Sequence, residues 1–243
     1  MKTLEFAHRG AIHNDLKEII YVENTKEAIL EGLRLSDGVE IDIMCVGEKK
    51  KIWWVCHDYD LGRLGSKQTL RTATTKTKLH DGNSFGYLLS LKDLLITLTN
   101  LGTDKKKFIN IEIKPHNGLP TDNDLHEVVQ MINQFTKNSN YHCFFSSFDQ
   151  EIVNKMSLNA RVGYLFDNVK DFNQLKSVNN NVFVITVQHN ENTDAMLTTI
   201  TKKFGQLGGI YFPTRESYFQ NHKRYKDRED IKVMYCEPLI RNH

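Results

Sequence analysis

Short runs of β-branched and aromatic residues alternate with helix-like segments almost from one end of the chain to the other, and this alternation restricts what it can fold into. "LEFAHRG" reads as a first strand. The segment from Asn24 to Leu35 reads as a helix with Ala28, Ile29, Leu30 and Leu33 on one face, and Asn24 followed three residues later by Glu27 resembles a capping box. "GVEIDIMCV" comes next, then "KKIWWVCHD" after a link of about five residues, which is too short for a helical crossover and predicts an antiparallel hairpin. The stretch from Asp60 to Asn83 is polar, basic and weakly periodic and reads as an inserted loop region. "SLKDLLITLTNLG" reads as an amphipathic helix, "FINIEIK" as a strand, and Asp124 to Phe135 as a helix with Leu125, Val128, Val129, Ile132 and Phe135 at helical spacing. The strand "CFFSSF" follows, then a helix around Ile152, Val153 and Met156, "RVGYLF", and a short helical stretch near Phe172 and Leu175. "NVFVITVQ", a helix from Asp194 to Phe204, "GGIYFPT", a polar helix-like segment from Tyr218 to Arg228 and "IKVMYCEPL" complete the series.

Without the hairpin arm this makes eight strands separated by helices, the pattern of a parallel α/β sheet. Eight units in 243 residues favour a closed (β/α)8 barrel over an open sheet. Residues 1–243 are expected to form one domain with an insertion at about 46–90 after the second strand, and with only four residues after Leu239, no full eighth helix is expected.

A net charge of +2 gives no basis for a nucleic-acid partner or an anionic membrane surface, and the lysine runs at Lys49 to Lys51 and Lys105 to Lys107 read as solvated turns. Cys45, Cys56, Cys143 and Cys236 are scattered with no CxxC pair, so neither a zinc site nor a disulfide framework is expected and the compartment is expected to be reducing, the cytoplasm. "MKTLEFAHRG" lacks the apolar run of a signal peptide, and no stretch of about 18 apolar residues is present to insert stably in a membrane.

The strand "GVEIDIMCV" places Glu40 and Asp42 two residues apart, so in an extended chain both carboxylates point to one side. An acidic sheet edge facing water is one reading of such a pair. A barrel offers another, because its active site forms at the C-terminal ends of the strands. The first strand ends in His8 and Arg9, the arm in His57 and Asp58, and the third barrel strand in Glu112 and Lys114. Three carboxylates drawn together repel and desolvate at a cost, which a hard divalent cation with oxygen ligands offsets. Two histidines beside such an ion suit general acid–base work, and Arg9 and Lys114 suit an anionic, phosphate-bearing small molecule. The residues therefore point to metal-assisted hydrolysis of a phosphate ester.

"HRG", "ENT", "VEIDI", "CHDYDLGRLG", "IEIK" and "SSFD" occur in an order and spacing that resembles the glycerophosphodiester phosphodiesterase family, over roughly Phe6 to Phe166. The resemblance implies a TIM barrel with an insertion after the second strand. It also implies hydrolysis of glycerophosphodiesters to glycerol 3-phosphate and an alcohol, with a divalent metal, Mg²⁺ or Ca²⁺, and two histidines. Carried over by position, it makes His8 and His57 the acid–base pair, Glu40, Asp42 and Glu112 the metal ligands, and Arg9 and Lys114 the phosphate-side cations, with Glu23 as support. His8 is assigned as base and His57 as the acid that protonates the leaving alkoxide.

The chain departs from the family pattern in three places. "AIHNDLKEIIYV" is longer than usual and has no proline before "ENT", "GGIYFPT" stands for a late W-T-V-N-like motif, and "CEPL" stands for T-D-x-P. These departures leave the alcohol side of the site open. A lysophospholipase D or sphingomyelinase D-like activity is one alternative, for which the polar insertion offers little apolar surface. A barrel that binds phosphate ligands without catalysis is another, against which stand both histidines and all three carboxylates. Ser146, Ser147 and Phe148 are expected to cap a helix or line a pocket, and Tyr164, Tyr211 and Phe212 to line the mouth or pack in the core. His116, His142 and His189 are expected to be structural or exposed, and of Trp53 and Trp54 one is expected to be packed and the other partly exposed.

Overall fold

The computed structural model describes residues 2–14, 18–48 and 50–240. Lys49 of the first lysine run, part of the long segment before "ENT" and the last three residues of the chain lie outside the described residues. In chain order the strands are β1 (Leu4–His8), β2 (His13–Asn14), β3 (Gly38–Val46), β4 (Ile52–Val55), β5 (Lys78–Asp81), β6 (Ser84–Tyr87), β7 (Leu89–Ser90), β8 (Lys107–Ile113), β9 (Tyr141–Ser147), β10 (Val162–Phe166), β11 (Val182–Gln188), β12 (Gly208–Tyr211), β13 (Ile231–Cys236) and β14 (Leu239–Ile240). The helices are α1 (Lys26–Leu35), α2 (Leu91–Leu101), α3 (Asp122–Lys137), α4 (Gln150–Met156), α5 (Val169–Gln174), α6 (Thr193–Phe204) and α7 (Arg215–Tyr225).

Strands β1, β3, β8, β9, β10, β11, β12 and β13 are hydrogen-bonded in that order, and β1 pairs with both β3 and β13, so the order closes on itself. With a helix between successive strands this is a (β/α)8 barrel. No helix follows β13 among the described residues. β3 runs on into an antiparallel pair with β4 (Ile43 opposite Val55, Val46 opposite Ile52), and β4 pairs antiparallel with β7, which is the hairpin expected from the short link.

The chain divides into two compact units, one of Ala7–Cys143 with Pro238–His243 and the other of Met1–Phe6 with Phe144–Glu237. In the second unit β9 to β13 pair in parallel with their neighbours, and Phe144 packs on Phe6 and Phe183. In the first unit β3 and β8 pair in parallel with Asp42 opposite Glu112 and Glu40 opposite Asn110. Helix α1 buries Ala28, Ile29 and Leu33 of the stripe read from the sequence, while Leu30 is half-buried. Helix α3 buries Leu125, Val128, Val129, Ile132 and Phe135, and its start is fixed by a reciprocal capping box between Thr121 and Asp124.

The stretch read as an inserted loop has a core and regular structure of its own. Leu61, Leu64, Leu70, Leu79 and Leu88 pack with Val22, Met44, Val46 and Trp54, and β5 and β6 form a hairpin through a two-residue turn at Gly82, where φ is +58°. Its apolar residues are spaced by turns rather than by one helical or strand period, so periodicity alone underrates them. Trp53 and Trp54 are both buried, because each side of β4 is covered within the arm and by its neighbours.

Candidate active site

The "HRG" and "ENT" segments are tied to each other by their backbones. Arg9 (φ +56°) and Asn24 (φ +58°) both adopt the left-handed conformation, and the Asn24 N–H donates to the Arg9 carbonyl at 2.9 Å. Gly10 is required where it stands. Its φ is +94°, and a Cβ there would lie 2.5 Å from the backbone carbonyl of Ala28 in α1. The chain leaving β1 thus presses onto α1 and turns Arg9 toward the strand ends, where its own N–H donates to Glu40 Oε2 at 3.0 Å.

Asn24 does not cap α1. Thr25 is the cap residue, its hydroxyl donating back to the Val22 carbonyl at 2.7 Å rather than capping the helix, and the Asn24 amide is spent on Asp42. Its Nδ2 donates to Asp42 Oδ2 at 2.8 Å and its Oδ1 accepts from the Asp42 N–H at 3.2 Å.

Glu40, Asp42 and Glu112 are 2%, 0% and 7% exposed, and each offers an oxygen within 4.8 Å of the others'. Arg9 Nε stands 3.1 Å from Asp42 Oδ2, and Lys114 Nζ lies 3.3 Å from Asp42 Oδ1 and closer still to Glu112 Oε1. Burial, followed by the Asp42 charge, pushes the Glu40 carboxyl up to about 8 and raises Glu112 in the same sense. Burial works against the Asp42 carboxylate too, but Arg9 and Lys114 outweigh it and hold the group below the ordinary range.

The residues fit a divalent cation. All three side chains offer hard oxygen donors. Glu40 Oε1 is buried without a hydrogen bond, a costly state that an ion would relieve. Counting Glu23 and Asp58, five carboxylates face the three fixed cations Arg9, Arg63 and Lys114, and the excess equals the charge of one divalent ion.

His8 Nε2 is 4.0 Å from Glu40 Oε2. His57 Nδ1 is 2.6 Å from Asp58 Oδ1. Burial works against ionised Asp58, but its bonds to His57 and Arg63 hold it below the usual range, so the carboxylate accepts and Nδ1 carries the proton. The ring's Nε2 is left as its working nitrogen. Burial, with Arg9 and Lys114, lowers the His57 pKa below the ordinary imidazole value.

All seven residues singled out in the sequence for chemistry, His8, Arg9, Glu40, Asp42, His57, Glu112 and Lys114, fall in one unit, at or beside the ends of β1 and β8, within β3 and on the turn after β4. Glu23 joins them through Arg9 Nη1 at 3.2 Å. Asn24 and Arg63 are additions that the sequence reading quoted within motifs without giving them a part in the site.

The residues read as structural mostly pack. Ser147 Oγ accepts from the Asp149 N–H at 3.1 Å, and His116 stacks on Tyr59 with ring centres 3.8 Å apart. Buried Tyr164 bonds Asn154 at 2.5 Å. Phe212 is buried against His189 and Tyr218, while Tyr211 meets Phe148 edge-on. The thiols of Cys45 and Cys56 are pushed up to about 12 by burial, which makes them poor nucleophiles.

The barrel is similar in fold to solved structures of phosphodiesterases. The chain is similar in structure to glycerophosphodiester phosphodiesterase from Thermotoga maritima (TM-score 0.64, 22% identity, 98% of this chain and 95% of that one). It is similar also to glycerophosphodiester phosphodiesterase from Agrobacterium tumefaciens str. C58 (TM-score 0.65, 16% identity, 97% of each). No protein-family model matches the sequence, and comparison with the curated proteins gives no match. At these identities the likeness establishes the fold.

Proposed function

We propose that the chain is a phosphoric diester hydrolase of the glycerophosphodiester phosphodiesterase type, dependent on a divalent cation such as Mg²⁺ or Ca²⁺. The observation that carries the reading is the convergence of Glu40, Asp42 and Glu112 within 4.8 Å, fully buried, beside Arg9 and Lys114. When bound by those carboxylates, the cation would polarise the phosphoryl oxygens and acidify an attacking hydroxyl. Arg9 and Lys114 neutralise the remaining charge of the diester and orient it. His8 removes the proton of the attacking oxygen, and His57 delivers a proton from Nε2 to the leaving alkoxide. Asp58 stabilises the imidazolium that this requires, and the lowered pKa of His57 makes the proton easy to give up.

The products are glycerol 3-phosphate and an alcohol. No helix among the described residues is long and apolar enough to cross a membrane, and the four unbridged cysteines fit a reducing compartment such as the cytoplasm. Lysophospholipids are a second substrate class worth testing, because Phe85 and Tyr87 project together from β6, 64% and 47% exposed, and give the insertion an apolar face. The test is incubation with a panel of glycerophosphodiesters and lysophospholipids, with and without chelator, followed by phosphorus NMR. Ion-dependent release of glycerol 3-phosphate supports the reading. Absence of hydrolysis across the panel with ion present refutes it.

A further inference from the structure

Arg63 lies on the short 3-10 helix Leu61–Leu64 of the inserted arm. Leu61 and Leu64 anchor that helix in the arm's core, and the Asp60 side chain accepts from the Gly62 N–H at 2.7 Å to fix its first turn. The guanidinium then meets two carboxylates. Nε donates to Asp58 Oδ2 at 2.7 Å, while Nη1 and Nη2 donate to Glu23 Oε2 and Oε1 at 3.0 and 2.7 Å. The other oxygen of Asp58 holds His57 Nδ1, and Glu23 also accepts from Arg9 Nη1.

We infer that Arg63 is a positioning residue through which the inserted arm sets both His57 and Arg9. A single planar cation joins the chain His57–Asp58–Arg63–Glu23–Arg9, so the orientation of the acid and that of the phosphate-side arginine depend on one group. Burial disfavours the ionised form of Glu23, but Arg63 and Arg9 together hold it ionised. Arg63 itself is nearly half exposed, so what it supplies is geometry more than stability. A lysine cannot replace it, since one ammonium lacks the fork that reaches both carboxylates. The inference rests on the roles of His57 and Arg9 proposed above.

The experiment compares Arg63→Ala and Arg63→Lys with the full wild-type chain, each with saturating Mg²⁺. Two readouts are taken: kcat and KM on a glycerophosphodiester with an unactivated alcohol and on a nitrophenyl diester, and nitrogen NMR of the His57 ring. On the unactivated substrate kcat should fall about 10- to 100-fold, the range typical of groups that orient a site from behind. The nitrophenyl substrate should lose less, because its leaving group needs no proton, and the ring signal should shift from the fixed Nδ1–H form toward a mixture. Arg63→Lys should recover only a small part, and it carries the same comparison if Arg63→Ala does not fold. Wild-type kinetics with an unchanged ring signal overturn the inference, as does an equal loss on both substrates with the tautomer intact. If the wild-type chain hydrolyses neither diester, the functional reading fails on its own, and the His57 signal alone decides whether Arg63 sets the ring.

Discussion

Asn24 grips Asp42 at two points, its amide donating to the carboxylate and its carbonyl accepting from the Asp42 backbone. The left-handed φ of Asn24 makes this possible, since it turns the side chain away from α1 and toward β3. Asn24→Ala removes both bonds and leaves the Asp42 carboxylate held by its ion pairs with Arg9 and Lys114 alone. Divalent-ion affinity is expected to fall about 10- to 100-fold, as measured by calorimetric titration with Mn²⁺. Asn24→Asp is expected to do worse, because it sets a carboxylate against a carboxylate. An Asn24→Ala protein that binds the ion like wild type would show that Asp42 needs no such support.

The raised Glu40 pKa makes ion binding a proton-releasing event. In the ion-free protein Glu40 keeps its proton up to about pH 8, for reasons of burial first and Asp42 second. A ligand carboxylate must be ionised, so below that pH the incoming ion has to displace the proton. Affinity should therefore rise with pH up to about 8 and then level off. Near neutral pH about one proton should be released per ion, read from calorimetry in two buffers of different ionisation enthalpy. No release at neutral pH would contradict this coupling, and Glu40→Gln should lose both the release and much of the affinity.

The barrel and the clustering of its acidic residues were legible because they rest on strict periods. A strand alternates every two residues, so Glu40 with Asp42, and Glu112 with Lys114, had to share a side of their strands. Parallel pairing then brings Asp42 opposite Glu112. What was not legible depends on backbone conformations and long-range pairings that carry no period. Asn24 satisfies the local pattern of a helix cap, and only its left-handed φ diverts it to Asp42. Arg63 sits in a segment without periodicity, forty residues from Glu23, and no local rule joins the two. The arm's core was missed for the same reason, since Leu61, Leu70 and Leu79 come together only through turns.

Gly10→Ala is expected to damage fold and site together. The new Cβ would fall 2.5 Å from the Ala28 carbonyl and would hold an L-residue at a φ of +94°. Backbone strain of that kind costs about 1–3 kcal/mol, before the overlap is counted. At about 2–4 °C per kcal/mol for a chain of this size, the melting temperature should drop by several degrees. Because Gly10 follows His8 and Arg9 directly, ion-dependent turnover should fall further than the loss of folded protein explains. A variant with wild-type melting and activity would mean that β1 and α1 can separate at no cost.

The roles of His8 and His57 can be separated by the leaving group. Replacing either with alanine should lower kcat about 10²- to 10⁴-fold, the usual contribution of a general acid or base. Ion content should change little in either variant, because neither histidine belongs to the acidic cluster. The double variant should fall well short of the product of the two losses, since both groups serve one reaction. A nitrophenyl diester expels a stable anion that needs no proton, so it should rescue His57→Ala much more than His8→Ala. Equal rescue would exchange or merge the roles while keeping the pair. Asp58→Asn gives an independent check, since an amide at 2.6 Å from Nδ1 can no longer stabilise an imidazolium as a carboxylate does. It should behave as a weaker His57→Ala, with the same preference for the activated substrate. Wild-type turnover of an unactivated diester by both histidine variants would move catalysis elsewhere in the barrel and leave this cluster as a binding site.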